Sequence, residues 1–375
     1  MTPTYVIIAD PHSLRYSFFE RDLRRWWGDR GIAPEIQLIT WQDVCVADGR
    51  IDHVLPRHNA LLRIESPARD FDVIRELLRA GQRSIGQCES DWTEGLHGWI
   101  ASPRLIFNGL RSCLRGIEKS LSSQTEVVSP AKPSDVALLF DKNETSTRLR
   151  DAGLPVPESF QPTGNAETLI EEVKARNWSK AYVKLAYGSC ASGIVVLAPH
   201  ANPESGITTV ERISGLFYNS YDVRAVVGEE LISILNFILD ETATVQQAIP
   251  KTQVSGRNFD LRVVVLAGKV IAVVCRVSDH PMTNLHLGGQ RGDPEECRRR
   301  IGQRHWLDAM DCCCQAASLF DLPCVGIDVA FDRNSGTPYI LEMNSFGDFF
   351  PNWKAPSGKT IHELEIEHYA SYVDH

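Results

Sequence analysis

"YILEMNSF", residues 339–346, alternates like a buried strand but sets Glu342 and Asn344 among apolar neighbours. A strand turns every second side chain to the same face, so the carboxylate and the amide point one way. Burying two such oxygen donors is costly unless something binds them. The preceding run, "CVGIDVAFD" from Cys324 to Asp332, is apolar apart from Asp328 in its middle and Asp332 at its end. "RNSGTP" supplies turn chemistry between the two, which predicts an antiparallel hairpin. With Arg333–Thr337 as the loop, Asp328 falls opposite Glu342, whereas a slip of one residue would send it to the other face. In that register Asp328, Glu342 and Asn344 form a patch of hard oxygen donors. Such a patch suits Mg²⁺, which completes its octahedron with waters and phosphate oxygens; a sheet with one solvated face would read the same way.

The bulk numbers narrow the classes. A chain of 375 residues has room for two or three domains. A net charge of -9 without a basic stripe argues against a nucleic-acid partner. The most apolar window, "LRVVVLAGKVIAVVCRV", is broken by Gly268 and Lys269 and reads as two strands rather than a membrane span. The apolar run before Asp10 and His12 is too short for a signal-peptide core, so a cytoplasmic location is expected. Ten cysteines are scattered without paired spacing, and no Cys-x-x-Cys pair accompanies histidines. Reduced structural thiols, and no zinc, follow as the expectation.

"TYVIIAD" then "SLRYSFFERDLRRWWGDRG", and "NALLRIE" then "DFDVIRELLRAG", read as strand–helix units. They predict a parallel α/β domain over residues 1–121. Residues 122–135, rich in Ser, Pro and Thr, read as a linker. A further unit, residues 136–375, follows. In it "KNETSTRLRDAG" is a helix with Asp141 as its cap and Gly153 as its stop. Residues 200–243 stay ambiguous between helix and strand.

"GSCASG" has the glycine spacing of a phosphate loop at 188 and 193, but Ile194 and Val195 follow where such a loop needs Lys and Ser or Thr. The lysine lies upstream instead, Lys184 in "YVKL". A strand lysine opposite a loop of small residues can still hold phosphates, and a plain hairpin turn is the competing account. Asp260, Arg262 and Arg276 interrupt two very apolar strands and share a face if Ala267–Lys269 form the loop. They read either as a structural ion pair or as a guanidinium clamp on phosphoryl oxygens.

The order of these parts resembles the ATP-grasp superfamily: strand lysine, glycine loop, "VQQAIP", Asp-x-Arg, Arg, Asn-Leu-His-x-Gly-Gly, Asp, then Glu-x-Asn. The branch most resembled holds glutathione synthetase and the ligases that add glutamate to the tail of a ribosomal protein. The resemblance spans roughly residues 136–350, and the N-terminal region resembles the domain that precedes an ATP-grasp unit.

That resemblance implies ATP and Mg²⁺, with two ions, bound between two α+β subdomains, residues 136–250 and 251–375. It implies that Lys142 and Lys184 contact the phosphates beneath a loop of Gly188, Ser189, Ser192 and Gly193. It implies that Gln246, Gln247 and Ala248 meet the base largely through backbone groups, and that Asp260 belongs to the nucleotide site. Arg262 and Arg276 would hold the transferred phosphoryl group with Asn284 beside them, and Asp328, Glu342 and Asn344 would ligate the metal. Two departures stand out. Gln247 replaces the usual acid of the hinge, with no carboxylate until Asp260, and residues 200–243 exceed what a minimal member needs.

The activity implied is carboxylate–amine or carboxylate–thiol ligation through an acyl phosphate, acting on a small-molecule or peptide carboxylate and an amine. A kinase on the same scaffold and a non-catalytic nucleotide-binding regulator are the rivals, and homodimerisation is left open. On the acceptor side the candidates are Gly288 and Gly289, with Arg63 and Glu65 at the carboxyl end of an N-terminal strand, where ligands of open α/β sheets lie. Mutual pairing of Arg63 and Glu65 is the alternative.

Overall fold

Strands Thr4–Ala9 (β1), Glu35–Thr40 (β2), Ala60–Ile64 (β3) and Val127–Val128 (β4) form a parallel sheet in the order β2–β1–β3–β4. The computed structural model describes residues 2–67, 70–93, 97–188 and 192–373. β1 and β3 are buried along their whole length, as strands covered on both faces must be. Helix Leu14–Gly28 starts where the Ser13 hydroxyl accepts the Tyr16 N–H, and helix Phe71–Ser84 where Asp70 accepts from Asp72. The parallel α/β character expected of this region is what the structure has.

Two segments lie outside the units read from the sequence. β4 falls within residues 122–135, expected as a linker, and pairs with β3. Helix Ile361–Val373, at the far end of the chain, packs Ile366, Tyr369 and Val373 against Tyr5, Ile7, Phe19 and Leu23. The sheet face it covers is apolar and needs that cover, a long-range requirement that local patterning does not show.

The second sheet holds Ser159–Phe160 (β5), Ala181–Leu185 (β6), Ile194–Ala198 (β7), Ser205–Ile213 (β8), Leu216–Val227 (β9) and Ala243–Gln247 (β10), in the order β5–β10–β6–β7–β8–β9. Its pairings are antiparallel. Residues 200–243, ambiguous in sequence, are the β8–β9 hairpin and the helix Gly228–Asp240. Ser214 and Gly215 both take positive φ between the paired Ile213 and Leu216, the turn geometry that matches strand twist.

The third sheet comprises Gln253–Val254 (β11), Arg257–Leu266 (β12), Lys269–Ser278 (β13), Gln290–Gly292 (β14), Cys324–Phe331 (β15) and Pro338–Asn344 (β16), in the order β14–β13–β12–β15–β16 with β11 on β12. Both of its hairpins turn one residue differently from the loops expected. Leu266 pairs with Lys269, so the β12–β13 loop is the two residues Ala267 and Gly268, and Phe331 pairs with Pro338 in the β15–β16 hairpin. A bulge in each, at Val264/Val265 and at Asp328/Val329, absorbs the odd residue. The registers Asp260↔Arg276 and Asp328↔Glu342 result, those that put the charged groups together.

One expectation fails outright. Cys275 of β13 and Cys297 of helix Pro294–Ile301 form a disulfide. The helix folds back onto β13, and a separation of 22 residues carries no local signature of that contact. Cys312, Cys313 and Cys314 lie in helix Gln303–Ala317 as free thiols.

Candidate functional site

A cleft of about 670 Å³, open to solvent, lies where the second sheet meets the third. Tyr182 and Lys184 reach it from β6, Gln246 and Gln247 from β10, Asp260 from β12, Arg276 from β13, Asp328 from β15 and Glu342 from β16. The loop Pro281–Asn284 closes one side. It is held there by the Tyr182 hydroxyl, which donates to the Pro281 carbonyl at 3.0 Å, and by Met282 packed on Val196.

Lys184 Nζ donates to Gln246 Oε1 at 2.7 Å, across the antiparallel pair β6–β10. Burial pushes its pKa down to about 8, with Lys142 and Lys251 adding to the depression and the Glu342 carboxylate opposing it. Lys142 opens helix Lys142–Asp151, which Asp141 caps by accepting from Asn143 and Glu144. Its ammonium donates to the Gly188 carbonyl and sits 3.2 Å from Glu342 Oε1. The lysine therefore ties the glycine loop to the strand that carries Glu342. Gly193 has φ +65° and its Cβ would fall 2.1 Å from Leu185 Cδ1, so the loop closes too tightly for a larger residue. Ser189 lies outside the described residues, and Ser192 lies next to Gly193.

The four strand charges make a chain. Arg276 Nε donates to Asp260 Oδ1 at 2.7 Å and its other arm reaches Asp328 Oδ2 at 3.1 Å. Arg262 donates to Asp328 Oδ1 at 2.7 Å and lies 3.3 Å from Asp348 Oδ2. The Thr283 hydroxyl donates to Asp260 Oδ2. Burial opposes ionisation of Asp328, but the two guanidinium groups outweigh it and hold its pKa at about 2. The same carboxylates raise the pKa of both arginines. The pairing of Asp260 with Arg276 and the gathering of both arginines at Asp328 thus coexist.

Asp328 faces Glu342 across the hairpin, and Asn344 lies opposite Gly326, whose carbonyl accepts from Nδ2 at 3.4 Å. Among the described residues no three His, Cys, Asp or Glu side chains are grouped to hold a metal. The donor set at this hairpin is instead two carboxylates and one amide. It fits a hard cation that takes its remaining oxygens from water and phosphate, as Mg²⁺ does.

Several sequence-predicted residues sit differently from their expected parts. The Gln247 N–H donates to Glu158 O at 2.8 Å and the Ala248 N–H to Lys180 O at 3.1 Å, so both hinge donors are already spent on the fold. Ile249, not Ala248, lines the cleft. Gly289 has no room for a Cβ, which would lie 2.5 Å from Thr283 O. Gly288 turns with φ +79°. The two glycines shape the loop bearing Thr283 and Asn284 and do not line the cleft. Asn284 lines it, its Oδ1 accepting the His286 N–H.

Arg63 and Glu65 belong to a different network. Arg63 is 7% exposed and meets Glu65 Oε1 at 2.6 Å and Glu365 Oε2 at 3.0 Å. It also donates to the Tyr369 hydroxyl and stacks over Phe19. Arg15 binds Glu65 Oε2 at 3.1 Å and donates to the Phe346 carbonyl. The mutual pairing given as the alternative is present, and both residues also line a small cavity with Glu365, Ser345, Phe346 and Tyr369.

Lys251, Thr283 and Asp348 were missed. Lys251 follows the hinge directly in "VQQAIPK" and Asp348 follows Asn344 by four residues. Neither has a spacing that marks it, and only the folded loops bring them in.

A family model described as "YheC/D like ATP-grasp" matches residues 139–372. No curated protein sequence matches the chain. Among solved structures, the ATP-grasp ligase PsnB complexed with its minimal precursor aligns over 99% of each chain at 15% identity, with a TM-score of 0.52. The D-cycloserine synthetase DcsG aligns over 99% of each chain at 14% identity and 0.54. The macrocyclase MdnC bound to precursor peptide MdnA, from Microcystis aeruginosa MRC, covers 98% of this chain and 99% of its own at 12% identity and 0.52. At these identities the likeness is one of fold.

Proposed function

The chain belongs to the YheC/D-like ATP-grasp family, and we propose that it is an ATP- and Mg²⁺-dependent ligase that joins a carboxylate to an amine or thiol. The observation that carries this reading is the cleft between two antiparallel sheets that Lys184, Arg276, Asp328 and Glu342 line, with Arg262 and Arg276 paired to Asp328 and Lys142 paired to Glu342.

The chemistry runs in two displacements. A substrate carboxylate oxygen attacks the γ-phosphorus of ATP, the bond to the β–γ bridging oxygen breaks, and ADP leaves from an acyl phosphate. The amine then attacks the acyl carbon, inorganic phosphate departs with the bonding pair, and the nitrogen gives up its proton. Lys184 and Lys142 neutralise phosphate charge, and the fixed guanidinium forks of Arg262 and Arg276 hold the transferred phosphoryl oxygens. Asp328, Glu342 and Asn344 would hold Mg²⁺, which supplies Lewis-acid charge at the phosphoryl oxygens. A route of this kind needs no covalent nucleophile, in keeping with a cleft that no cysteine lines among the described residues.

PsnB is complexed with a minimal precursor, MdnC is bound to a precursor peptide, and DcsG is a D-cycloserine synthetase. A peptide or small-molecule carboxylate is therefore the substrate class to test. Incubation with ATP, Mg²⁺ and candidate acids in hydroxylamine should give a substrate-dependent hydroxamate together with ADP. A stable phosphorylated product without hydroxamate would replace the ligase with a kinase, and nucleotide binding without any ADP release would leave a regulator.

A further inference from the structure

Lys251 presents a charge that the fold does not use up. It follows the hinge strand β10, lines the cleft, and its side chain is 8% exposed. Its backbone is fixed by a bridge to Asp332 and by the Arg333 guanidinium on its carbonyl. An ammonium has three N–H donors. One goes to the Pro281 carbonyl at 3.1 Å. The nearest carboxylate oxygen, Asp260 Oδ2, is 3.9 Å away and already accepts from Thr283, while Oδ1 takes Arg276.

A buried cation without a close counter-ion is costly unless an anion comes to it. Lys251 follows Gln247 of the hinge strand by four residues, and both line the same cleft. Resting on the nucleotide-site reading above, we propose that Lys251 is a further phosphate-binding residue, donating to the phosphate nearest the ribose. In this account the chain grips its nucleotide after the hinge by a cation on phosphate.

The test is calorimetric binding of adenosine, AMP, ADP and ATP to the full chain and to Lys251→Met. The variant should lose about tenfold or more in affinity for AMP, ADP and ATP alike, as expected when a hydrogen bond to a charged group is removed. Its affinity for adenosine should not change. Equal binding of AMP by both proteins, or an equal loss for adenosine and AMP, overturns the proposal while leaving the nucleotide site in place. Failure of the unaltered protein to bind any of the four overturns the site reading itself. Site-resolved reductive methylation of the unaltered protein decides the matter if Lys251→Met does not fold. AMP should shield Lys251 where adenosine leaves it reactive, and equal shielding by the two would contradict the proposal.

Discussion

Two arginine–carboxylate networks interrupt the apolar strands of this protein, and they differ in what surrounds them. Arg63, Glu65, Glu365 and Arg15 lie among Phe19, Tyr369 and the last helix, beside a smaller cavity that Arg63, Glu65 and Glu365 line, and each charge has a partner within about 3 Å. Arg262, Arg276, Asp260 and Asp328 are nearly as buried, yet Arg276, Asp260 and Asp328 border the larger cleft with Lys184, Lys251 and Glu342, and Arg262 and Lys142 pair with its Asp328 and Glu342. The first set is balanced: two arginines meet two carboxylates. In the second, five cations meet Asp260, Asp328, Glu342 and Asp348, so one positive charge is left for an anion. An arginine in a strand is thus no sign of function by itself. Both networks border a cavity, and unbalanced charge separates the two cases.

The largest expected effect comes from breaking the balanced network. Arg63→Ala strands Glu65 and Glu365 in the interior and should cost about 3–5 kcal/mol of stability. Denaturant unfolding would read it. At a temperature where the variant remains folded, nucleotide affinity should match that of the parent. A variant of unchanged stability whose KM for the acid substrate alone rises would return Arg63 to the acceptor site.

Next comes the unbalanced network. Glu342→Gln should leave the unfolding midpoint within a few degrees of the parent but reduce ADP release by at least ~100-fold, since metal-assisted charge stabilisation is worth several kcal/mol. Near-normal turnover would remove the metal assignment and much of the contrast with Arg63.

A smaller, graded difference is expected with pH. Burial holds the His362 imidazole near a pKa of about 3, with Arg63 and Arg15 adding to the depression and Glu65 opposing it. Burial works against ionisation of Glu65, but Arg63 and Arg15 outweigh it and set its pKa at about 2. His362 is therefore neutral when folded and takes a proton on unfolding below its ordinary value of 6.5. Its contribution is complete above pH 6.5 and is lost as pH falls toward 3. That of Glu65 is lost between pH 4.5 and 2. Stability should fall on acidification from pH 6.5, and His362→Gln should flatten the slope from 6.5 down to about 3, leaving between 4.5 and 2 the part that Glu65 contributes. An unchanged slope would mean that other groups set the acid response.

The hairpin carrying the opening stretch was legible because charge at alternate positions survives small errors in loop length. Each loop was misjudged by one residue, and a bulge repaired the register at Asp260 and Asp328. The helix Lys142–Asp151 was legible from its cap. Residues 205–240 were not, since "ELISILNFILD" is apolar enough for either period, and only packing against the second sheet selects helix. The Cys275–Cys297 bond, the docking of helix Ile361–Val373 and the approach of Lys251 all depend on contacts far apart in sequence. The full pairing of Arg63 was hidden for a related reason. Its place at a strand's carboxyl end suggested a ligand, and Glu365, its second partner, lies about 300 residues away.

The claim that the unbalanced network is a metal–nucleotide site is tested most directly by the Mg²⁺ dependence of ATP affinity. ATP should bind the parent and Arg63→Ala more tightly with Mg²⁺ than with EDTA, and Glu342→Gln should lose most of that difference while still binding ATP. If Mg²⁺ strengthens ATP binding to Glu342→Gln as much as to the parent, the carboxylate at the centre of "YILEMNSF" does not hold the metal, and the account is wrong.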